Sequence, residues 1–120
     1  MIKTSSYKDL VVWQRSMEVV IEIYKASRLF PKSELYGLTS QMRRAAVAIP
    51  SNITEGYTRA HRVEYMHFLQ IAYSSAAELE TQLLIDQKLE YRGNFSAASA
   101  LLLEVIKMLS RMLSQLRKQE

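Results

Sequence analysis

The sequence predicts an all-α protein, an antiparallel up-down-up-down bundle of four helices whose second helix is kinked at Pro50. Apolar residues recur at helical spacing along four long stretches, and the links between them are short enough to favour antiparallel neighbours. Three Gly and two Pro are too few for the many turns of an all-β chain. Hydrophobic residues make up 48%, which excludes disorder, and 120 residues make one domain, 1–120, able to bury a core.

Residues 1–6 read as a loose leader. Ser6 or Asp9 is placed to cap the first helix, which runs to about Ser27–Leu29. Trp13, Met17, Val20 and Tyr24 form its expected inner stripe, with Val12, Val19 and Ile23 beside them. That arc is wider than one neighbouring helix needs. Phe30-Pro31-Lys32-Ser33 makes the first link, because Pro31 favours an extended residue before it. The second helix follows from about Glu34.

Within the second helix, Leu38, Met42, Ala45, Ile49 and Ile53 form one stripe. Opposite it lie Ser40, Arg44, Val47, Ala48, Ser51 and Glu55, a face with less charge than water-facing helices usually carry. These small side chains let a second surface approach, so they are expected at an oligomer interface. Pro50 cannot donate to the carbonyl of Ala46, yet the stripe continues past it, which predicts a kink rather than a stop. Gly56 is the expected helix end.

Thr58 to His61 reads as a basic turn. The third helix is expected from Arg62 to Tyr91, with Tyr65, Leu69, Ala72, Ala76, Leu79 and Leu83 on a near-heptad seam. On its outer face Gln70, Ser74, Ala77 and Thr81 are mild, and Ser74 and Ala77 join the interface candidates. Arg92-Gly93-Asn94 breaks the pattern, with Gly93 suited to a left-handed position and Asn94 to an N-cap. The fourth helix takes Phe95 to Leu116 and is expected to bury Leu102, Val105, Leu109, Met112 and Leu116.

Enzyme chemistry finds no constellation here. The two histidines, His61 and His67, fall in a turn and on an outer helix face, and neither has metal-ligand spacing. Glu64 and His67 show Glu-x-x-His once, where a bundle di-metal site needs it twice. There is no Cys, so no disulfide or thiolate site, and no glycine-rich phosphate loop. The expectation is a protein without catalytic residues, metal or cofactor. No apolar run reaches membrane-spanning length and Met1 to Ser6 lacks a secretory apolar stretch, so a cytoplasmic protein with no membrane partner is expected.

Basic residues remain. The formal charge is +4, unevenly spread: residues 62–92 hold three basic against five acidic side chains. Lys107, Arg111 and Lys118 share an arc of about 60° on the fourth helix, opposite its core stripe, in a ridge about 16 Å long. Such a ridge is either a solvated face with cations favoured by the helix dipole or a row of phosphate contacts. Arg43 and Arg44 stand apart, as intersubunit ion-pair partners, with Glu55 for Arg44, or as an anion-binding ring in an oligomer. Arg59 and Arg62, with His61, could extend either patch.

One set of motifs resembles a known family. Tyr36-Gly37-Leu38-Thr39, Arg43-Arg44-Ala45-Ala46, Ile49-Pro50-Ser51-Asn52-Ile53 and Glu55-Gly56 are similar to the signature of bacterial four-helix proteins encoded within intervening sequences of 23S ribosomal RNA genes. Tyr7-Lys8-Asp9-Leu10-Val11-Val12-Trp13 and Ala77-Glu78-Leu79-Glu80-Thr81-Gln82-Leu83 also resemble it, and the likeness covers roughly residues 7–115. The resemblance implies a four-helix bundle that assembles as a homopentamer. More distantly the family is similar to the basic pentameric accessory proteins of diversity-generating retroelements, which bind a reverse transcriptase and nucleic acid. Two function classes follow: an oligomer that binds RNA or another nucleic acid through phosphate contacts, or a homo-oligomeric scaffold for a protein partner.

Overall fold

The computed structural model describes residues 6–91 and 93–119. Four helices carry the chain: α1 (Val11–Ser27), α2 (Leu38–Arg59), α3 (Arg62–Leu89) and α4 (Ser96–Arg117). No strand occurs among the described residues. Each helix packs on two others, α1 and α3 both lying between α2 and α4. At 1.5 Å per residue, the 28 residues of α3 span about 42 Å, close to the full 46 Å long axis. Contacts between helix ends tie the bundle together. Trp13 near the start of α1 donates its Nε1–H to Thr54 Oγ1 late in α2, at 3.0 Å. Arg62 at the start of α3 donates to the carbonyl of Leu116 late in α4, also at 3.0 Å. Phe30, after α1, meets the rings of Tyr91 and Phe95 edge-on at 5.4 and 5.5 Å. Among the described residues no helix is long and apolar enough to cross a membrane.

The core follows the expected stripes in α2, α3 and α4. Met42, Ala45, Ile49 and Ile53 are buried, as are Leu69, Ala72, Ala76, Leu79 and Leu83, and Leu102, Val105 and Leu109. Leu38, Tyr65, Met112 and Leu116 are half-buried at its margins, while Leu113 is buried in place of Met112.

In α1 the expected inner stripe is displaced. Val12, Ser16, Val19, Ile23 and Ala26 face the core, whereas Met17 and Tyr24 each keep 38% exposure and Trp13 and Val20 sit half-buried at the α2 seam. Both edges of the α1 arc are apolar, so hydropathy does not choose between them. Ser16 is fully buried on the packed face, its hydroxyl satisfied by donating to the Trp13 carbonyl at 2.8 Å. Tyr24, expected in the core, lies at the surface.

Boundaries also shift. Ser6 caps a short 3₁₀ turn, Tyr7–Asp9, while α1 starts after Leu10 with no side-chain cap. A second 3₁₀ turn takes Lys32–Glu34, and α2 begins only at Leu38. Glu34 holds that start in place: one carboxylate oxygen accepts from the Leu38 N–H at 3.1 Å and the other from the Tyr91 hydroxyl at 2.7 Å. These two bonds, the Tyr91 bond foremost, keep the Glu34 carboxyl below its ordinary pKa. The third helix stops at Leu89, before Tyr91, with Glu90 left-handed. Gly93 has φ 132°, and the Asn94 side chain accepts from the Ser96 N–H at 3.0 Å. Arg92 and the leader's first five residues lie outside the described residues.

Pro50 lies inside α2, which continues across it. Gly56, expected to end the helix, does not. The helix runs to Arg59 and closes on left-handed Ala60, while Gly56 is buried where α2 meets α3. A Cβ there would stand 2.8 Å from Phe68 Cβ and 3.3 Å from the Tyr65 carbonyl oxygen. The glycine therefore serves close approach of two helices.

On α3, the buried Gln82 and Asp86 each leave one oxygen without a partner. Burial raises the Asp86 pKa. Because the folded state then holds this proton more tightly than the unfolded chain, the contribution of Asp86 to stability is greatest below the ordinary carboxylate range. It declines as pH rises through that range toward the folded pKa. Asp86→Asn removes the buried charge and is expected to raise the melting temperature by a few degrees at neutral pH. That gain should shrink near about pH 3, where wild-type Asp86 is protonated in both states. Thermal melts at the two pH values measure it, and a pH-independent difference would contradict it.

Candidate nucleic-acid interface

The core stripe of α4 determines what its other side presents. Ala98, Leu102, Val105, Leu109 and Leu113 recur at helical spacing and are buried. Their registry leaves Lys107, Ser110, Arg111, Ser114 and Lys118 exposed on the opposite side. Lys118 follows the last turn of α4, where its N–H still donates to the Ser114 carbonyl at 3.2 Å. The negative end of the helix dipole favours cations there.

These side chains line a shallow groove of about 570 Å³ between α3 and α4. Tyr73 of α3 is the one lining residue from outside the α4 segment, at the margin of the groove, and Ile106 and Gln115 complete the lining. Outside the groove, Arg117 ties α4 to α3, its Nη2 donating to Gln70 Oε1 at 3.0 Å. No acidic residue lines the groove. Glu104, the acid nearest in sequence, instead reaches toward Arg15 of α1 at 4.0 Å. Among the described residues Lys107, Arg111 and Lys118 form no ion pair, so three cations face solvent on a surface that Tyr73 also lines. Anionic groups spaced along a chain can be met there by charge and hydrogen bonding together.

The other basic candidates are used differently. Arg59 is held by two carboxylates, Glu55 at 2.8 Å and Glu64 at 3.3 Å, and its guanidinium lies 5.2 Å from the Phe68 ring centre. Glu55 raises the Arg59 pKa further. Arg62 is spent on the Leu116 carbonyl and on Met66 Sδ at 3.2 Å. Beside it the Tyr65 hydroxyl is pushed up to about 12, first by burial and then by Tyr57. Arg43 donates through Nε to Ser27 Oγ at 3.0 Å and stacks on Tyr24 at 4.6 Å. Arg44 is exposed and has no ion-pair partner among the described residues. None of these four lines the α3–α4 groove.

The interface candidates lie on two separate surfaces. On α2, Ser40, Arg44, Val47, Ser51 and Glu55 are exposed and Ala48 is half-buried. Val47, Pro50, Ser51 and Thr54 continue into an apolar groove against Trp13, Met17 and Val20 of α1. Ser74 and Ala77 are exposed on α3. His61 and His67 are exposed, and among the described residues no group of three or more His, Cys, Asp or Glu could hold a metal ion.

Tyr73 escaped the sequence reading. Its only signal there is being the one long side chain in the run from Ala72 to Ala77. Its place beside the basic ridge depends on how α3 and α4 pair.

A comparison with curated proteins gives no match. The model of one protein family, the 23S rRNA-intervening sequence proteins, matches residues 8–115, and the chain belongs to that family.

Proposed function

We propose that this protein binds nucleic acid, RNA foremost, without catalysing a reaction, through phosphate contacts in the α3–α4 groove. The observation that carries this reading is the exposed set Lys107, Arg111 and Lys118, without an ion pair among the described residues, lining one groove together with Tyr73. Phosphate contacts carry little sequence information, so the expected binding is broad in sequence preference. Tyr73 adds a ring surface on which an unpaired base can stack, which favours single strands.

Self-association strengthens this reading, since several weak ridges on one particle sum to useful avidity. The apolar groove between α1 and α2 supports it, together with Met17, Ile21 and Val47, which are 38%, 51% and 40% exposed. A homopentamer accords with the resemblance drawn from the sequence. Outside that groove, on the small-residue face of α2 expected at an oligomer interface, Ala48→Glu adds a charge at a cost of several kcal/mol if a neighbour covers it. Light scattering is expected to show a smaller particle with an unchanged helical spectrum. A particle of wild-type size would remove this face from the interface.

The competing reading is a protein-binding scaffold. Titration of labelled single-stranded RNA into the protein at low salt separates the two. Saturable binding that weakens as salt rises is expected, and absence of binding would favour the scaffold.

A further inference from the structure

Where α1 passes into α2 there is a second basic recess, built by no residue of α3 or α4. Two adjoining hollows share Leu35, Thr39 and Arg43, the first also lined by Tyr24, Tyr36 and Arg44 and the second by Arg28 and Lys32. Four cations therefore surround Thr39, and no acid lines either hollow. Glu34, close by in sequence, is committed to the Leu38 N–H and the Tyr91 hydroxyl.

The recess is preorganised. Arg43 is fixed through Nε by Ser27, whose own hydroxyl donates to the Tyr24 carbonyl at 3.4 Å, and Tyr24 backs the guanidinium. The terminal nitrogens of Arg43 have no partner among the described residues. That leaves the end of the fork for a bidentate acceptor such as a phosphate. Thr39 is 4% exposed, and its Oγ1 has no hydrogen-bond partner among the described residues. At the rim Tyr36 is 93% exposed, leaving its ring open to cover a flat base.

We propose that this recess binds a nucleotide unit, its phosphate monoester held by Arg43 and Arg44 and its base stacked on Tyr36. The monoester is carried either by a free nucleotide or by the phosphorylated end of a strand. A terminal phosphate has more charge and more free oxygens than an internal diester, which suits a recess ringed by four cations. Ser40, Arg44 and Val47 also belong to the expected self-association face, so the ligand sits at a subunit margin. The site is independent of the α4 groove.

Calorimetric titration with adenosine monophosphate and with adenosine tests the proposal. A short 5′-phosphorylated RNA and its 5′-hydroxyl twin form the second arm, measured on protein in which Lys107, Arg111 and Lys118 are all Gln. Binding of the monophosphate but not the nucleoside is expected, or preference for the phosphorylated strand over its twin. The first result identifies a free nucleotide and the second a strand end. Arg44→Gln should weaken the bound ligand about tenfold, the loss of one charge-assisted contact. Tyr36→Ala should weaken it about tenfold through lost stacking. Arg43→Lys keeps the charge but removes the Nε bond and the planar fork, and should also weaken binding. Light scattering on each variant confirms unchanged assembly. The triple Gln protein should bind the monophosphate as wild type does, even if the α4 groove proves not to bind RNA. Absence of saturable binding in both arms would overturn the proposal, as would equal binding of adenosine or an Arg44→Gln variant of unchanged affinity.

Discussion

Gly56→Val is expected to destabilise the protein by about 1–3 kcal/mol, and more where backbone has to move. The added Cβ meets Phe68 Cβ at 2.8 Å and the Tyr65 carbonyl oxygen at 3.3 Å, neither of which is the far end of a flexible side chain. Relief requires α2 and α3 to separate, and that loosens the packing around Ile53 and Leu69, both fully buried. Gly56→Ala sets two effects against each other. Alanine gains about 1 kcal/mol of helix propensity over glycine, yet its Cβ occupies the same crowded point. The clash is expected to win, leaving this variant less stable than wild type as well. Denaturant titration should show a lower midpoint with an unchanged slope. An alanine variant as stable as wild type would mean that the two helices do not need this approach.

The same glycine shows where sequence reading stops. A glycine late in a helical pattern is equally a helix end or a close contact, and the contact partner, Phe68, lies on a different helix. The stripes of α2, α3 and α4 were legible because each depends on one helix and repeats over several turns. In α1, Trp13, Met17, Val20 and Tyr24 are as apolar as Val12, Val19 and Ile23. The packed face includes Ser16 and Ser27, polar residues that a hydropathy stripe passes over and whose hydroxyls are satisfied by carbonyls three residues back. Glu34 read as the start of a helix, whereas it bridges Leu38 to Tyr91, 57 positions along.

The candidate sites divide in the same way. Lys107, Arg111 and Lys118 were legible as a ridge because one helix sets their spacing. Tyr73, at the margin of the groove, was not. Arg43 and Arg44 read as a pair from adjacency alone, but only Arg43 is anchored, through a serine 16 residues earlier. Arg59 and Arg62 looked like further free cations. Their engagement with Glu55, Glu64 and the Leu116 carbonyl depends on the turn joining α2 to α3 and on the end of α4.

The reading of the α3–α4 groove as a phosphate-binding surface stands or falls on the salt dependence of RNA binding. Three neutralised phosphates correspond to a log–log slope of about −2 for a single strand, a loss of roughly fifteenfold between about 50 and 200 mM salt. Lys107, Arg111 and Lys118 are exposed and support no packing, so replacing all three with Gln should leave helicity and particle size unchanged. Affinity for single-stranded RNA, measured across a salt series for wild type and the triple variant, is the direct measurement. The account predicts weaker binding at low salt and a slope reduced by about 2 for each subunit engaged. Equal affinity and equal slope in the two proteins would contradict it and leave the ridge a solvated helix face.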